Sequence, residues 1–196
     1  MHRRMTPTRA LAAGFLVLTA LLPGDSSAQS AQMFSLQVSG LGAYPFGGGL
    51  ESVSAGYGWE GQIRVNPSAF SLGAGAEQTF HEVSSVEGRE IIFLGGFLEP
   101  RYVLDIGSDN AVLYLSARAA LSQIKLTQGT FESTGTGYTL NGGGGLLFRL
   151  GDRVNLDAGA TLGYKDLGVL DLPSGTFDLG TGANVVARVG LAIGLG

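Results

Sequence analysis

The stretch "SVSAGYGWEGQIRV", residues 52–65, changes character at every position. One parity carries its bulky apolar residues, among them Tyr57, Trp59 and Ile63, and the other parity carries Glu60 and Arg64. A period of two predicts a β-strand with two unlike faces. A soluble barrel would turn the apolar face inward, whereas a membrane barrel would turn it toward lipid and place the charged residues in the lumen.

The same alternation recurs along the rest of the chain, and no segment repeats apolar residues at helical spacing for three turns. The further alternating segments are 34–43, 69–80, 92–104, 112–122, 138–150, 154–165 and 183–195. Short connections rich in turn formers (66–68, 105–110, 151–153) alternate with longer ones (44–51, 81–90, 125–135, 166–178). We therefore predict an all-β fold, an eight-stranded antiparallel up-and-down transmembrane β-barrel.

Three observations favour the membrane orientation. The predicted strands run about 11–14 residues, longer than the roughly 5–6 of soluble strands and sufficient for the roughly 9–11 that cross a membrane. No charged residue falls on the apolar faces, where it would cost about 2–4 kcal/mol at the bilayer midplane. Aromatic residues cluster at strand ends, as in the two girdles of membrane barrels. The short-turn girdle comprises Phe34, Phe70, Tyr102 and Phe148, and the loop-end girdle Phe80, Tyr138 and Tyr164. Tyr57 and Trp59 fall in mid-strand, outside this pattern.

The opposite face carries the charged residues and would line a lumen that side chains nearly fill. They are Glu60, Arg64, Glu77, Glu99, Arg101, Arg118, Arg149, Asp157, Lys165 and Arg188. Charges in such a lumen must be paired or hydrated. We interpret them as a structural salt-bridge network; a gated ion path and a catalytic acid–base pair are the alternatives. Glycines on the same face would leave room for the larger side chains.

The N-terminal 28 residues have the pattern of a cleaved signal peptide: a basic start, the apolar run "ALAAGFLVLTALL", and small residues at Ser26 and Ala28. Residues 29–196 then form one outer-membrane β-barrel domain. Cleavage would leave nine basic and fifteen acidic residues, a net charge near −6, which argues against nucleic acid as a partner. The chain has no cysteine, so it can form neither disulfides nor thiolate metal sites.

Three further features are candidate sites. His81, next to Glu82 and near Ser84, is the only histidine after the signal peptide; we interpret it as a solvated residue at the base of a loop. The run "GGGGLL" from residue 142 lacks the Lys-Ser/Thr of a phosphate-binding loop and is predicted to be a close-packed strand. The loop "LPSGTF", 172–177, could contact a surface partner or fold back over the barrel mouth. No metal or other cofactor is predicted.

"GGFLEPRYVL" (95–104), "LYLSARAAL" (113–121) and "GGGGLLFRL" (142–150) resemble strands four to six of the outer-membrane protein β-barrel domain family, the small eight-stranded barrels of Gram-negative bacteria. The resemblance implies location in the outer membrane, among its lipids and lipopolysaccharide, as a monomer. It implies a non-enzymatic structural or surface-interaction role in the envelope, with any ligand of the long loops unknown. The alternatives are a narrow ion or small-solute channel and a lipid-modifying enzyme that uses His81.

Overall fold

The computed structural model describes residues 32–84, 88–128, 131–172, 175–178 and 180–195. The predicted signal peptide, residues 1–28, lies outside the described residues. The strands are β1 Phe34–Phe46, β2 Gly56–Val65, β3 Phe70–Glu82, β4 Arg89–Leu104, β5 Ala111–Gln128, β6 Phe131–Arg149, β7 Val154–Leu172, β8 Gly175–Asp178 and β9 Thr181–Leu195. A short 3-10 helix, Gly48–Leu50, lies between β1 and β2. In the described ranges, no helix is long and apolar enough to cross a membrane.

Every strand pairs antiparallel with its neighbours, and the sheet closes on itself. β9 pairs with β1, as in Leu36 opposite Ile193, and also with β7, as in Leu156 opposite Leu191. β8 pairs with residues 169–172 of β7 and β9 with residues 154–166 of the same strand, so that β8 and β9 together occupy one position in the wall. The predicted eight-stranded antiparallel barrel is therefore confirmed.

The two faces of the strands point as the alternation predicts. In β1 the apolar residues Phe34, Leu36 and Val38 are exposed on the outside, while the intervening Ser35 and Gln37 are buried inside. The β2 part of the opening stretch behaves in the same way: Tyr57, Trp59 and Ile63 are exposed, and Glu60 and Arg64 are buried. The barrel thus has an apolar outer surface and a largely polar interior.

The long connections differ from the prediction. Residues 125–128 and 131–135 continue the β5–β6 hairpin, with Lys125 opposite Thr134, and residues 166–172 continue β7, with Val169 opposite Asp178. β6 and β7 reach 19 residues each, whereas β2 has 10. Hydrophobic alternation fails to find the β5–β6 extension because most of its residues are polar, and a hairpin of polar residues still pairs its backbone groups.

The connection between β1 and β2 turns into the barrel mouth. Leu50, in the 3-10 helix, is fully buried, and Val53 forms an isolated bridge with Val83. Gly48 has φ of +58°, and a side chain there would collide with the carbonyl oxygen of Thr181. The mouth is therefore covered by residues 47–55. The side chains of 172–177, which we expected either to contact a partner or to fold over the mouth, lie outside the described part of the chain.

Candidate functional site: the charged interior

Seven of the ten predicted lumen residues are buried together inside the barrel: Glu60, Arg64, Glu99, Arg101, Arg118, Asp157 and Arg188. They come from five strands, β2, β4, β5, β7 and β9. The period of two turns each of these side chains inward, and closure of the barrel brings them to one place.

Glu99 is the centre of the cluster. Its Oε1 accepts hydrogen bonds from Arg64 Nη2 at 3.0 Å and from Arg101 Nε at 2.5 Å. Its Oε2 accepts hydrogen bonds from Arg118 Nε at 2.8 Å and from Arg188 Nη1 at 2.6 Å. One carboxylate, fully buried, thus holds four guanidinium groups from four strands. We call Glu99 and its partners the charge network.

Three further carboxylates balance the arginines. Asp157 Oδ2 accepts a hydrogen bond from Arg101 Nη1 at 2.7 Å. Arg118 Nη1 lies 2.7 Å from Glu60 Oε2 and 2.8 Å from Glu77 Oε2, and Glu77 is partly exposed. The charge network therefore has four arginines and four carboxylates. Such balance is needed because an unpaired charge in a low-dielectric interior is strongly destabilising.

Tyr114 on β5 joins the charge network through its hydroxyl group. The hydroxyl donates to Asp157 Oδ1 at 2.6 Å and accepts from Arg188 Nη2 at 3.0 Å. The guanidinium of Arg101 lies 4.3 Å from the centre of its ring, within cation–π range. A Cβ atom at Gly145 or Gly159 would collide with this hydroxyl, which explains why the opposing strands carry glycine.

The remaining predicted charges lie outside this buried cluster. Lys165, half-buried, places Nζ 3.3 Å from the centre of the Phe93 ring. Arg149 is exposed at the short-turn end of β6. Arg149 follows the alternation of the lumen-facing residues of β6, but β6 ends at this residue. Its side chain therefore lies at the end of the barrel and not in the charge network.

Two apolar clusters, which sequence reasoning missed, fill the interior above and below the charge network. At the loop end, a cluster that we call the outer plug contains Leu50, Val53, Val83, Ile91, Phe93, Ile124 and Leu167. At the short-turn end, Val103 and Val112 pack with Tyr114 and the partly buried Leu147. Phe93, Val103 and Ile124 lie on the lumen-facing side of the alternation in their strands, and this position could have predicted the apolar clusters. Apolar residues can occupy lumen positions here because an eight-stranded bore is narrow enough to be filled.

His81 differs from its predicted setting. It is buried instead of solvated, with Nδ1 2.9 Å from the Ser54 carbonyl oxygen and Nε2 3.1 Å from Thr79 Oγ1. Its ring packs edge-on against Phe93. Ser84 instead pairs its hydroxyl with that of Ser54, at 2.8 Å. The strand β3 extends through Glu82, so His81 follows the period of two into the lumen.

The predicted girdle residues lie on the outer face near the strand ends. At the short-turn end Phe70 stands directly opposite Tyr102. Phe34 and Phe148 lie at that end as well. At the loop end the rings of Tyr138 and Tyr164 are 6.0 Å apart. Tyr57 falls within the loop-end row: β2 begins at Gly56, not at Ser52, and the Tyr57 ring lies 5.7 Å from that of Phe80.

Among the described residues, no group of three or more His, Cys, Asp or Glu could hold a metal ion. The "GGGGLL" run lies inside β6, paired on both sides, as expected for a strand. The interior is an interlocked, charge-balanced core between two apolar clusters.

The wall is a closed sheet of eight antiparallel strands, and solved structures share this fold. The fold is that of the small outer-membrane barrels. Neisserial surface protein A matches with a TM-score of 0.60 at 16% identity, over 88% of this chain and 100% of that one. OprG from Pseudomonas aeruginosa matches with a TM-score of 0.56 at 11% identity, over 86% of this chain and 98% of that one. Ail, the attachment invasion locus protein of Yersinia pestis, matches with a TM-score of 0.50 at 14% identity, over 82% of this chain and 95% of that one.

The small outer-membrane barrels thus share their architecture with this chain at low sequence identity. No family model matches the sequence, and no curated protein sequence matches it. The similarity to the solved structures is one of fold. It says nothing about the side chains inside this barrel.

Proposed function

We propose that this protein is a non-enzymatic barrel of the outer membrane, with a structural role and with strand hairpins presented at the cell surface. The observation that carries the proposal is the filled interior. The outer plug, the charge network and the Val103–Val112 cluster lie one after another along the bore. Side chains that fill the bore make the barrel rigid and leave no room for ions or solutes to pass.

The outer surface supports the membrane location. Leu98, Leu115 and Leu140, from three strands, are each more than half exposed. Such an apolar wall would be costly in water and suits lipid. We infer that residues 1–28 direct export and are removed, and that lipid and lipopolysaccharide surround the barrel. We further infer a monomer, because closure leaves the wall no long unpaired edge.

The long hairpins support the surface role. The β5–β6 hairpin continues seven residues beyond Tyr138 of the loop-end girdle to Phe131, roughly 20 Å of strand. It carries an exposed ion pair, Lys125 Nζ to Glu132 Oε1 at 2.9 Å. One solved structure with this fold is named an attachment invasion locus protein. Contact with an external partner through these hairpins is the corresponding proposal for this chain, with the partner unspecified.

Two measurements test the proposal. Planar-bilayer recording on the purified protein should show no steady conductance, because side chains fill the bore. Steady channels in the wild type, with a selectivity that changes in Arg118→Ala, would instead establish the narrow-channel alternative. Fractionation of cells should recover the protein with the outer membrane, and recovery in the soluble periplasm would overturn the location.

A further inference from the structure

A small cavity lies at the short-turn end of the barrel, next to the charge network. Its volume is about 30 Å³, room for one or two water-sized particles. Its polar lining comes from Ser35, Gln37, Arg64, Asn66, Ser71, Arg101 and Asn155. Since the short turns of such barrels face the periplasm, the cavity lies on that side of the membrane.

The lining of this cavity is cationic. Arg64 and Arg101 are both buried and both contribute to the wall, and no carboxylate lies among the described residues that line it. Arg64 forms an ion pair with Glu99, which three other arginines share, and Arg101 also forms an ion pair with Asp157. The carboxylates Glu60 and Glu77 contact Arg118 instead. None of these carboxylates lines the cavity, so the charged side chains in its described wall are both guanidinium groups.

Hydrogen-bond donors of the lining residues remain free. Arg64 Nε and Arg101 Nη2 are buried without a hydrogen-bond partner among the described residues. Ser71 Oγ accepts from Arg64 Nη1 at 2.7 Å, and Ser35 Oγ accepts from Asn66 Nδ2 at 3.1 Å. Each hydroxyl therefore keeps its own proton to donate. Buried polar groups normally have partners, and these four donors exceed the one unpartnered buried acceptor of the lining, Gln37 Oε1, so an acceptor is missing.

We propose that the cavity binds one small monovalent anion of the size of chloride, held by the guanidinium groups of Arg64 and Arg101 and by the hydroxyl groups of Ser35 and Ser71. The anion supplies the acceptor that the four donors lack, and it faces the two guanidinium groups of the wall. The volume excludes larger oxyanions and organic acids. The cavity does not continue into a channel along the bore, because the charge network lies directly beyond it.

The test is the anion dependence of unfolding of the full chain, folded in detergent. Sodium chloride replaces sodium gluconate at constant ionic strength, and the denaturant midpoint is measured. Binding to the folded state alone should raise the midpoint with the logarithm of the chloride concentration above the dissociation constant. In Ala192→Leu, which places a larger side chain into the cavity wall, this dependence should be lost.

A control variant, a second cavity variant and a crystal experiment make the result specific. Ser116→Ala removes a buried hydroxyl that also lacks a partner but does not line the cavity, and it should keep the wild-type dependence. If Ala192→Leu does not fold, Ser71→Ala should weaken the dependence by removing one donor. In crystals soaked with bromide, an anomalous peak should lie between Arg64 and Arg101. Equal chloride dependence in wild type and Ala192→Leu, or water alone at that position, would overturn the proposal.

Discussion

Glu99 on β4 and Arg188 on β9 stand on opposite sides of the barrel, and Arg188 Nη1 lies 2.6 Å from Glu99 Oε2. Eighty-nine residues separate them in the chain. Their contact spans the bore, so it connects two walls that no backbone hydrogen bond joins. The ion pair can form only after the barrel has closed, and it then opposes separation of the walls.

The first prediction concerns the centre of the charge network. Glu99→Gln keeps the shape of the side chain and removes its charge, which leaves four buried guanidinium groups around a neutral amide. We expect the free energy of unfolding to fall by about 3–5 kcal/mol. Urea unfolding in detergent, followed by heat-dependent migration on gels, measures the change.

The matched control is an ion pair at the surface. Lys125→Ala breaks the exposed contact with Glu132 and should change the free energy of unfolding by no more than about 1 kcal/mol. If Glu99→Gln were as mild as Lys125→Ala, the charge network would not stabilise the barrel.

The second prediction concerns the orientation of the wall. Leu115 lies exposed on the outer face, between Ala111, which is opposite Phe148 of the short-turn girdle, and Leu121, which is opposite Tyr138 of the loop-end girdle. Leu115→Arg should therefore cost about 2–4 kcal/mol or prevent insertion. Leu150, exposed beyond the end of β6, is the control. Leu150→Arg should cost about 0–1 kcal/mol, since the cost falls near the interface. Folding into lipid vesicles measures both, and equal costs would contradict the placement of Leu115 at the bilayer centre.

The third prediction concerns glycine. Gly159→Ala would place a methyl group against the Tyr114 hydroxyl, which holds Asp157 and Arg188. We expect a loss of about 1–3 kcal/mol, the usual cost of overpacking. Gly142, on the outer face, has open space around its Cβ position, so Gly142→Ala should be neutral or slightly stabilising. The denaturant midpoints of the two variants measure the difference; a harmless Gly159→Ala would show that Tyr114 can move freely.

The fourth prediction concerns topology. The chain has no cysteine, so a single introduced cysteine can be labelled without background. Glu132→Cys, on the exposed β5–β6 hairpin, should react on intact cells with a reagent that does not cross the outer membrane. Asp109→Cys, in the short turn between β4 and β5, should react only after the cells are opened. The reverse labelling pattern would show that the barrel has the opposite orientation in the membrane.

The interior shows where sequence reasoning stopped. The period of two placed Glu99 and Arg101 on one inward face, and the structure has them there. It did not choose among their partners, because Arg64, Arg118 and Arg188 reach Glu99 from other strands across the lumen. Partner choice depends on strand register and closure, which are properties of the whole sheet.

His81 and Tyr57 are instructive for a different reason. Both were misplaced because the strand ends were misjudged: β3 extends through Glu82, and β2 begins only at Gly56. Strand ends near the barrel mouth depend on which neighbouring strand remains available for pairing. Local composition does not record this, since polar residues suit a paired hairpin and a loop equally well.

The sequence by itself determined the strand period, the approximate strand positions and the assignment of an apolar face to the outside and a charged face to the inside. These depend on side-chain alternation, which each segment carries locally. The tertiary structure alone decided the meeting of four arginines at Glu99, the apolar clusters that fill the two ends, and the cavity beside Arg64 and Arg101. Those features join residues from distant strands, and their distances exist only once the sheet has closed into a barrel.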